Sequence, residues 1–348
     1  MKNIFMILTS LMVLISCSKK FTFIVPQKPG GGTSIWATIV AEELEKKLGE
    51  KIIIRHIPGA RDQIGFEKFH KTLRFDDYMI MVSHGGNAVS FLQENVIYDY
   101  ADYDVIAIMH NNIIVSRDKN LNWQSNVLIY SLHSGTVPES LALALLIDGH
   151  NAPKNWKKRT ILIKGMSQSE NRLAFRRREV NITRENPAAH LKHVQGVEHA
   201  EIFFNHGLYN PLTGKFDKDP NFPDSFTMEE LYKKKWGESS SGSLYNAYKM
   251  VKAWRDGIQK ALWVNKGNPN RDRLRKAVTD MLNDPEARIR LQKKLGKYPW
   301  DIGENAVYYV KALYRLLNRD AMQTLVKFNR EQLGLDSYYN EKRVQKKN

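Results

Sequence analysis

The 348-residue sequence is poor in cysteine and lacks the short motifs by which many catalytic sites are recognised. A single cysteine excludes a framework of disulfide bonds. There is no G-x-S-x-G, His-Glu-x-x-His or Cys-x-x-Cys motif of hydrolases, metalloproteases or redox proteins. The Gly-Lys-Ser/Thr of nucleotide-phosphate loops and the G-x-G-x-x-G of dinucleotide sites are missing too. We therefore expect no enzyme, no cofactor and no metal site.

Two histidines bear on that expectation. His133 lies between Ser131 and Ser134, an arrangement that suggests a nucleophile and its base. No orienting carboxylate can be assigned to it, so the polarity of a loop explains the grouping better. His84 has no cysteine or histidine nearby at the spacing of metal ligands, and we interpret it as a candidate ligand contact.

The chain carries a large excess of positive charge. Its 53 Lys and Arg residues outnumber 37 Asp and Glu residues, for a net charge of +16 at pH 7. Such an excess fits nucleic acid, an anionic membrane surface, the steering of an anionic solute, or a solvated surface without a partner. No basic motif interleaved with aromatic residues is present, so nucleic acid ranks last. The basic residues 336–348 are predicted to form a solvated tail.

The first residues have the pattern of an export signal. Lys2 precedes an apolar run, 4–15, which is too short for a comfortable membrane-spanning helix. The run ends in Leu-Ile-Ser-Cys, which resembles a bacterial lipoprotein cleavage box. We expect residues 1–16 to be a signal peptide and Cys17 to carry the lipid anchor of a periplasmic, membrane-anchored protein; the alternative is an uncleaved anchor helix with an incidental cysteine.

A glycine loop between a strand and a helix is the most informative stretch. Residues 24–34 read Ile-Val-Pro-Gln-Lys-Pro-Gly-Gly-Gly-Thr-Ser, and a helical pattern follows to residue 48. Free N–H groups at such a helix start, with hydroxyl caps, can hold an anion. A tight turn needed only for packing is the alternative. The candidate ligand contacts are Gly31, Gly32, Thr33 and Ser34.

The same logic recurs at later loops. Strands are expected near 21–26, 51–55, 78–83 and 104–109, and helices near 34–48, 62–73 and 86–93, an alternation that implies a largely parallel sheet. Ligands bind at the carboxyl ends of strands in such sheets. The further candidate contacts in loops of this kind are Ser83, His84, Gly86, Asn87, Ser134, Gly135, Thr136, Lys164, Gly165 and Asn186.

These motifs, in this order, resemble the substrate-binding receptors of tripartite tricarboxylate transporters, the Bug family. The glycine loop, the His-Ile-Pro-Gly-Ala at 56–60, the Tyr-Asp at 98–99 and the Phe-Pro-Asp at 222–224 carry the resemblance. Two positions depart from the family pattern: Ser34 stands where aspartate is usual, and Arg61 and Asp62 stand where two glycines are usual. An aspartate would pair with the ammonium of an amino acid, so Ser34 favours plain carboxylates.

The resemblance implies an α/β protein with the two-lobed periplasmic-binding-protein (type II) fold: mostly parallel sheets flanked by helices, and a ligand cleft between the lobes. Lobe 1 would comprise 17–116 and 263–335, and lobe 2 would comprise 117–262. The implied function is extracytoplasmic capture of a di- or tricarboxylate by a monomer and its delivery to the membrane subunits of a tripartite transporter. The alternative is a solute sensor without a transport role.

Overall fold

The computed structural model describes residues 19–60, 63–85, 88–93, 95–132, 136–150 and 153–335. The strands are β1 (Thr22–Val25), β2 (Ile53–His56), β3 (Met79–Val82), β4 (Tyr103–Met109), β5 (Ile114–Asp118), β6 (Leu128–Leu132), β7 (Thr160–Lys164), β8 (Ile182–Glu185), β9 (Ala200–Asn205), β10 (Leu208–Asn210), β11 (Lys215–Asp217), β12 (Lys260–Asn265) and β13 (Trp300–Ile302). The helices are α1 (Gly32–Leu48), α2 (Gln63–Lys71), α3 (Val137–Asp148), α4 (Lys154–Lys158), α5 (Gln168–Arg176), α6 (Pro187–His193), α7 (Met228–Trp236), α8 (Gly242–Gly257), α9 (Arg271–Asn283), α10 (Pro285–Leu295), α11 (Glu304–Arg315) and α12 (Arg319–Phe328).

The largest sheet has the order β13-β4-β12-β3-β1-β2. Strand β1 pairs in parallel with β2 and β3, as the alternation of strands and helices predicts. Strand β12 returns from the far end of the sequence and enters between β3 and β4, antiparallel to both, and β13 is antiparallel to β4. The α/β class is thus confirmed, but the expectation of mostly parallel pairing holds only for part of the sheet, because β12 and β13 run against the first four strands.

The strands between 114 and 217 belong to other sheets. Strand β5 pairs antiparallel with β8 and β9, β6 pairs in parallel with β7, and β10 and β11 form a hairpin. The chain therefore leaves the large sheet at 110–113 and re-enters it at 258–259. The expected lobe limits at 116/117 and 262/263 fall inside β5 and β12, and since a strand belongs whole to one sheet, we propose that the lobes divide at these two crossings.

Helices cover both faces of the large sheet. Apolar residues of α1, α9 and α10, including Trp36, Leu44 and Val278, pack with inward residues of β1, β3 and β12 in one core cluster. The sequence predicts that the last helices cap lobe 1, and in the structure α9 and α10 pack on the large sheet through this cluster. Helix α12 instead packs against α8, and Phe328 contacts Trp156 with ring centroids 5.4 Å apart. None of the described helices has the length and apolar character needed to span a membrane.

The helix predicted after β3 is absent from the part of this segment that the structure describes. The sequence predicts a helix over 86–93, but residues 88–93 contain only a 3-10 turn at Ser90–Leu92. Isolated short helices are marginal without support from neighbouring elements. Here Ala88, Phe91 and Leu92 are all fully buried. The segment therefore fills space in the hydrophobic core and has no exposed face of the kind that a surface helix has.

Helix α3 lies wholly inside the protein, because every residue from Val137 to Asp148 is buried. A helix that is apolar on all sides is typical of such a position. We expect Leu143→Ala to lower the free energy of unfolding by about 2–5 kcal/mol, through lost contacts and a cavity. The matched control is Leu212→Ala, since Leu212 is 81% exposed, and we expect a change within about 0.5 kcal/mol. Urea unfolding of both variants checks this, and equal losses would contradict the central position of α3.

Candidate functional site

The glycine loop does lead directly into α1, at the carboxyl end of β1. Gly30 has a φ of +83°, a conformation that favours glycine, and Gly31 is the N-cap without a side-chain cap hydrogen bond. The expectation that Thr33 and Ser34 cap the helix is wrong, because both lie inside its first turn and are buried. The backbone alone forms the helix start, which leaves the two hydroxyls for other partners.

Thr33 contacts a lysine that sequence reasoning missed. The Nζ of Lys260, the first residue of β12, donates to Thr33 Oγ1 at 2.7 Å, and Lys260 is only 8% exposed. The two residues are 227 positions apart in the sequence. An ammonium group is therefore buried at the N-terminal end of α1, where the partial charge of the helix is also positive. The buried ammonium and the positive end of the helix together favour the binding of an anion at this place.

A chain of polar contacts runs beside this helix start. Ser34 Oγ lies 3.4 Å from His56 Nε2, and His56 Nδ1 lies 2.8 Å from the carbonyl oxygen of Gln27. The side chain of Gln27 then contacts His84, with 2.8 Å between the two Nε2 atoms. The structure thus brings the candidates Ser34 and His84 to one loop edge through Gln27 and His56.

The loop after β3 is tied to the second crossing of the chain. Ser83 is fully buried and its hydroxyl donates to the carbonyl of Ile258, which makes it a structural contact. A Cβ on Gly85 would lie 2.6 Å from the carbonyl oxygen of Arg255, so only glycine fits there. At the first crossing the side-chain amide of Asn111 donates to Gln259. The loop after β3 and both crossings therefore form one packed unit.

Candidates from the other sheets do not all lie together. Asn186 caps α6, with its Oδ1 accepting from the N–H of Ala189 at 2.9 Å, and a Cβ on Gly32 would lie 3.8 Å from Asn186 Nδ2. The structure therefore brings Asn186 to the start of α1. Thr136 is buried at the N-cap of α3. Lys164 and Gly165 are exposed, and no contact joins them to Thr33 or Asn186 among the described residues.

Several predicted positions lie outside the described residues. These are Cys17, Arg61, Asp62, Gly86, Asn87, Ser134 and Gly135.

A buried ionic cluster adjoins the start of α3, and the sequence did not indicate it. Glu139, in the first turn of α3, lies 2.8 Å from Arg184 Nε and 3.6 Å from Arg255 NH1. All three side chains are at least nine-tenths buried, and Lys252 pairs with Asp256 nearby. The arginines come from β8 and from the end of α8, so one carboxylate connects three elements. The one hint of this cluster in the sequence is the unbroken polar run Thr183–Asn186 after Ile182, in an otherwise apolar strand environment.

The charges of the cluster are set by burial and by each other. Burial alone raises the pKa of Glu139, but Arg184 and Arg255 outweigh it and hold that pKa well below its usual range. Burial, with Arg184 next to it, lowers the pKa of Arg255 to about 9. Burial lowers the pKa of His206 to about 3, so its 3.6 Å approach to Glu139 joins a neutral ring to a carboxylate at pH 7. The anionic Glu139 thus compensates the positive charges of both Arg184 and Arg255.

The arrangement around the start of α1 is suited to binding a small anion. Among the described residues no group of three or more His, Cys, Asp or Glu side chains is placed to hold a metal ion. The Ser34–His56 contact is long at 3.4 Å, and a backbone carbonyl, not a carboxylate, orients His56. What the described residues do offer is a helix start, hydroxyls, amides and buried cations, which together suit a small anion.

Comparisons with known proteins bear on the fold that carries this site. No protein-family model and no curated protein matches the chain in sequence. The periplasmic binding protein BugD matches its fold with a TM-score of 0.56 at 16% identity, over 89% of this chain and 97% of that chain. A TctC solute-binding protein from Polaromonas gives 0.60 at 16% identity, over 90% and 99%. MatC from Rhodopseudomonas palustris, with bound malate, gives 0.56 at 15% identity, over 88% and 98%.

The chain therefore has the fold of periplasmic binding proteins. Within that class it is similar in structure to the Bug and TctC type of solute-binding protein. The fold class predicted from the sequence motifs is confirmed, and so is the resemblance at the level of the fold.

Two buried histidines give the protein a specific acid sensitivity. Burial lowers the pKa of His206 to about 3 and of His190 to about 4, whereas an unfolded histidine titrates near 6.5. The unfolded chain thus binds more protons below that pH, and stability falls as the pH drops. We expect each ring to contribute up to about 1.4 kcal/mol per pH unit below pH 6.5. Urea unfolding between pH 6.5 and 5, above the range of unfolded carboxylates, measures the slope.

The test compares His206→Gln with His150→Gln, a control at an exposed histidine. The first variant should show a smaller dependence on pH than the wild type, whatever its absolute stability, and the control should keep the wild-type slope. Equal slopes in all three proteins would show that His206 does not stay neutral in the folded state.

Proposed function

We propose that the protein is an extracytoplasmic solute-binding receptor that captures a small carboxylate between two lobes. The observation that carries this proposal is the buried ammonium of Lys260 on Thr33 at the start of α1, opposite Asn186 from another sheet. A carboxylate there would meet backbone N–H groups, a hydroxyl and a cation together. Malate in the structurally similar MatC supports the same ligand class.

We propose further that the receptor belongs to the Bug family and delivers its ligand to the membrane subunits of a tripartite tricarboxylate-type transporter. The sequence motifs and the shared fold support this assignment. The export signal at 1–16 and the cysteine that follows it support a location in the periplasm with a lipid anchor at Cys17. Closure of the lobes about the two crossings would report occupancy to the transporter.

Thermal shift is the first measurement of ligand class. A ligand that binds only the folded protein raises its melting temperature by mass action. We expect dicarboxylates and tricarboxylates to raise the melting temperature of the mature, unacylated protein, and amino acids to leave it unchanged because Ser34 offers no charge to an ammonium group. The absence of any shift in a well-folded sample, across di- and tricarboxylates and aromatic acids, would contradict the receptor proposal.

The Thr33 hydroxyl tests the location of the site. We expect Thr33→Ala to weaken carboxylate binding several-fold, about the value of one hydrogen bond in a charged network. Thr38→Ala is the matched control, since Thr38 is an exposed threonine one turn further along α1. Isothermal titration with the best ligand from the thermal screen gives both dissociation constants. We expect Ser134→Ala to weaken binding similarly, and unchanged affinity in both Thr33→Ala and Ser134→Ala would contradict the proposed anion site at these loops.

A further inference from the structure

The two faces of β8 have different partners. Side chains alternate between the faces of a strand. On one face Thr183 accompanies Glu185, and both contact α5: Thr183 Oγ1 donates to Asn171 at 2.9 Å, and Arg172 Nε donates to Glu185 at 2.6 Å. This face is a closed structural contact between β8 and α5.

The opposite face of β8 leads towards the proposed ligand site. Arg184 contacts Glu139 of α3 there. Two residues further along the extended chain, Asn186 reaches the start of α1 at Gly32. Residues two apart in extended chain lie on the same side, so Arg184 belongs to the same wall as Asn186. The side chain that precedes Asn186 on this side of the extended chain is therefore the cation of Arg184.

The guanidinium of Arg184 is only partly used. Its Nε lies 2.8 Å from a Glu139 oxygen, and its side chain is 10% exposed. Among the described residues no hydrogen bond engages its two terminal amino groups, and the buried Nε contacts Glu139 as an ion pair without hydrogen-bond geometry. A guanidinium offers five N–H donors in a planar fork, and a carboxylate matches the geometry of that fork. Arg184 is thus a nine-tenths buried donor with capacity left over.

Glu139 fixes this guanidinium in place. Its side chain is 3% exposed and stays anionic between Arg184 and Arg255. It extends from the first turn of a wholly buried helix, which leaves it little freedom to move. A donor held in this way binds its target with little loss of side-chain entropy.

We propose that Arg184 is the specificity-determining residue of the site: its terminal amino groups receive a second carboxylate of the ligand, and Glu139 is the positioning residue that holds them. The inference rests on the proposed function, which places the first carboxylate at Thr33 and Lys260. It narrows the ligand class to compounds with two or more carboxylates. A monocarboxylate of the same length leaves the Arg184 fork empty and binds more weakly.

The test uses succinate and butyrate, which have the same chain length and differ in the second carboxylate. Isothermal titration gives the ratio of the two affinities for each protein. We expect wild type to prefer succinate, Arg184→Met to lose tenfold or more of that preference, and Arg184→Lys to retain part of it, since an ammonium keeps the charge but not the fork. Butyrate affinity should stay within about threefold in both variants.

Arg172→Met is the matched control. Arg172 likewise forms an ion pair through its Nε with a buried glutamate, Glu185, but on the α5 face of β8. Its removal should leave the succinate preference unchanged. An equal loss in the Arg172 and Arg184 variants would show that any broken ion pair of β8 has the same effect, and that would overturn the proposal.

Removal of Arg184 leaves Glu139 with Arg255 as its one arginine partner, which endangers folding. Arg184→Gln is the safer variant, because its amide N–H can still donate to Glu139 while the charged fork is gone. It should show a large loss of succinate preference with a melting temperature closer to wild type. An Arg184→Gln variant that keeps the full preference would overturn the role of Arg184.

The two proposals fail in different ways. If wild type binds neither succinate nor butyrate, nor any other carboxylate in the thermal screen, the receptor proposal itself fails. If wild type binds carboxylates and Arg184→Met keeps the wild-type preference for succinate, only the role of Arg184 fails.

Discussion

The antiparallel return of β12 between β3 and β4 is the constraint on which the site depends. The first four strands of the large sheet run in one direction and β12 runs against them, so its first residue lies level with the last residue of β4: Lys260 pairs with Met109. The carboxyl ends of parallel strands are where ligands bind in open α/β sheets, and α1 starts at that edge after β1. A lysine at the beginning of β12 therefore reaches Thr33 without any special loop.

Burial strengthens the interaction of these cations with nearby anions. An ammonium or guanidinium loses much of its hydration inside a protein, and a nearby anion is needed to compensate. At Arg184 and Arg255 the protein supplies Glu139, and at the start of α1 Lys260 contacts Thr33, beside the place where we propose that a ligand carboxylate binds. The first arrangement is rigid because α3 is enclosed on all sides, whereas the second lies where two sheets meet. Rigid donors on one wall and a ligand-dependent contact on the other suit a receptor that closes on its solute.

Whether a feature could be predicted from the sequence depends on how far apart along the chain its contacting residues are. The strand, glycine loop and helix at 22–48 were predictable, because the apolar period and the glycines act within a few residues. Lys260 could not be assigned to the site, since its partner is 227 positions away and only the direction of β12 brings them together. The role of Arg184 could not be predicted for another reason. All four residues of β8 are buried, so the sequence does not show which face of the strand lies towards the site.

The cap prediction failed for a related reason. A Thr-Ser pair after glycines reads as a capping site, but Gly31 supplies the N-cap and the pair turns inward. The sequence also cannot indicate that residues 88–93 fill space in the core, because the apolar residues of this segment fit a helical face equally well. In both places tertiary contacts decide between local structures of similar intrinsic stability.

The serine at position 34 shows how the departure from the family pattern acts. The Nδ1 of His56 lies 2.8 Å from the carbonyl of Gln27, so in a neutral ring that nitrogen carries the proton and Nε2 is an acceptor. The hydroxyl at 3.4 Å is then directed to Nε2 and away from the helix start. An aspartate in its place would bring a negative charge beside Thr33 and Lys260 and would compete with a carboxylate ligand. A neutral serine turned towards His56 leaves the positive end of α1 and Lys260 to act on the anion together.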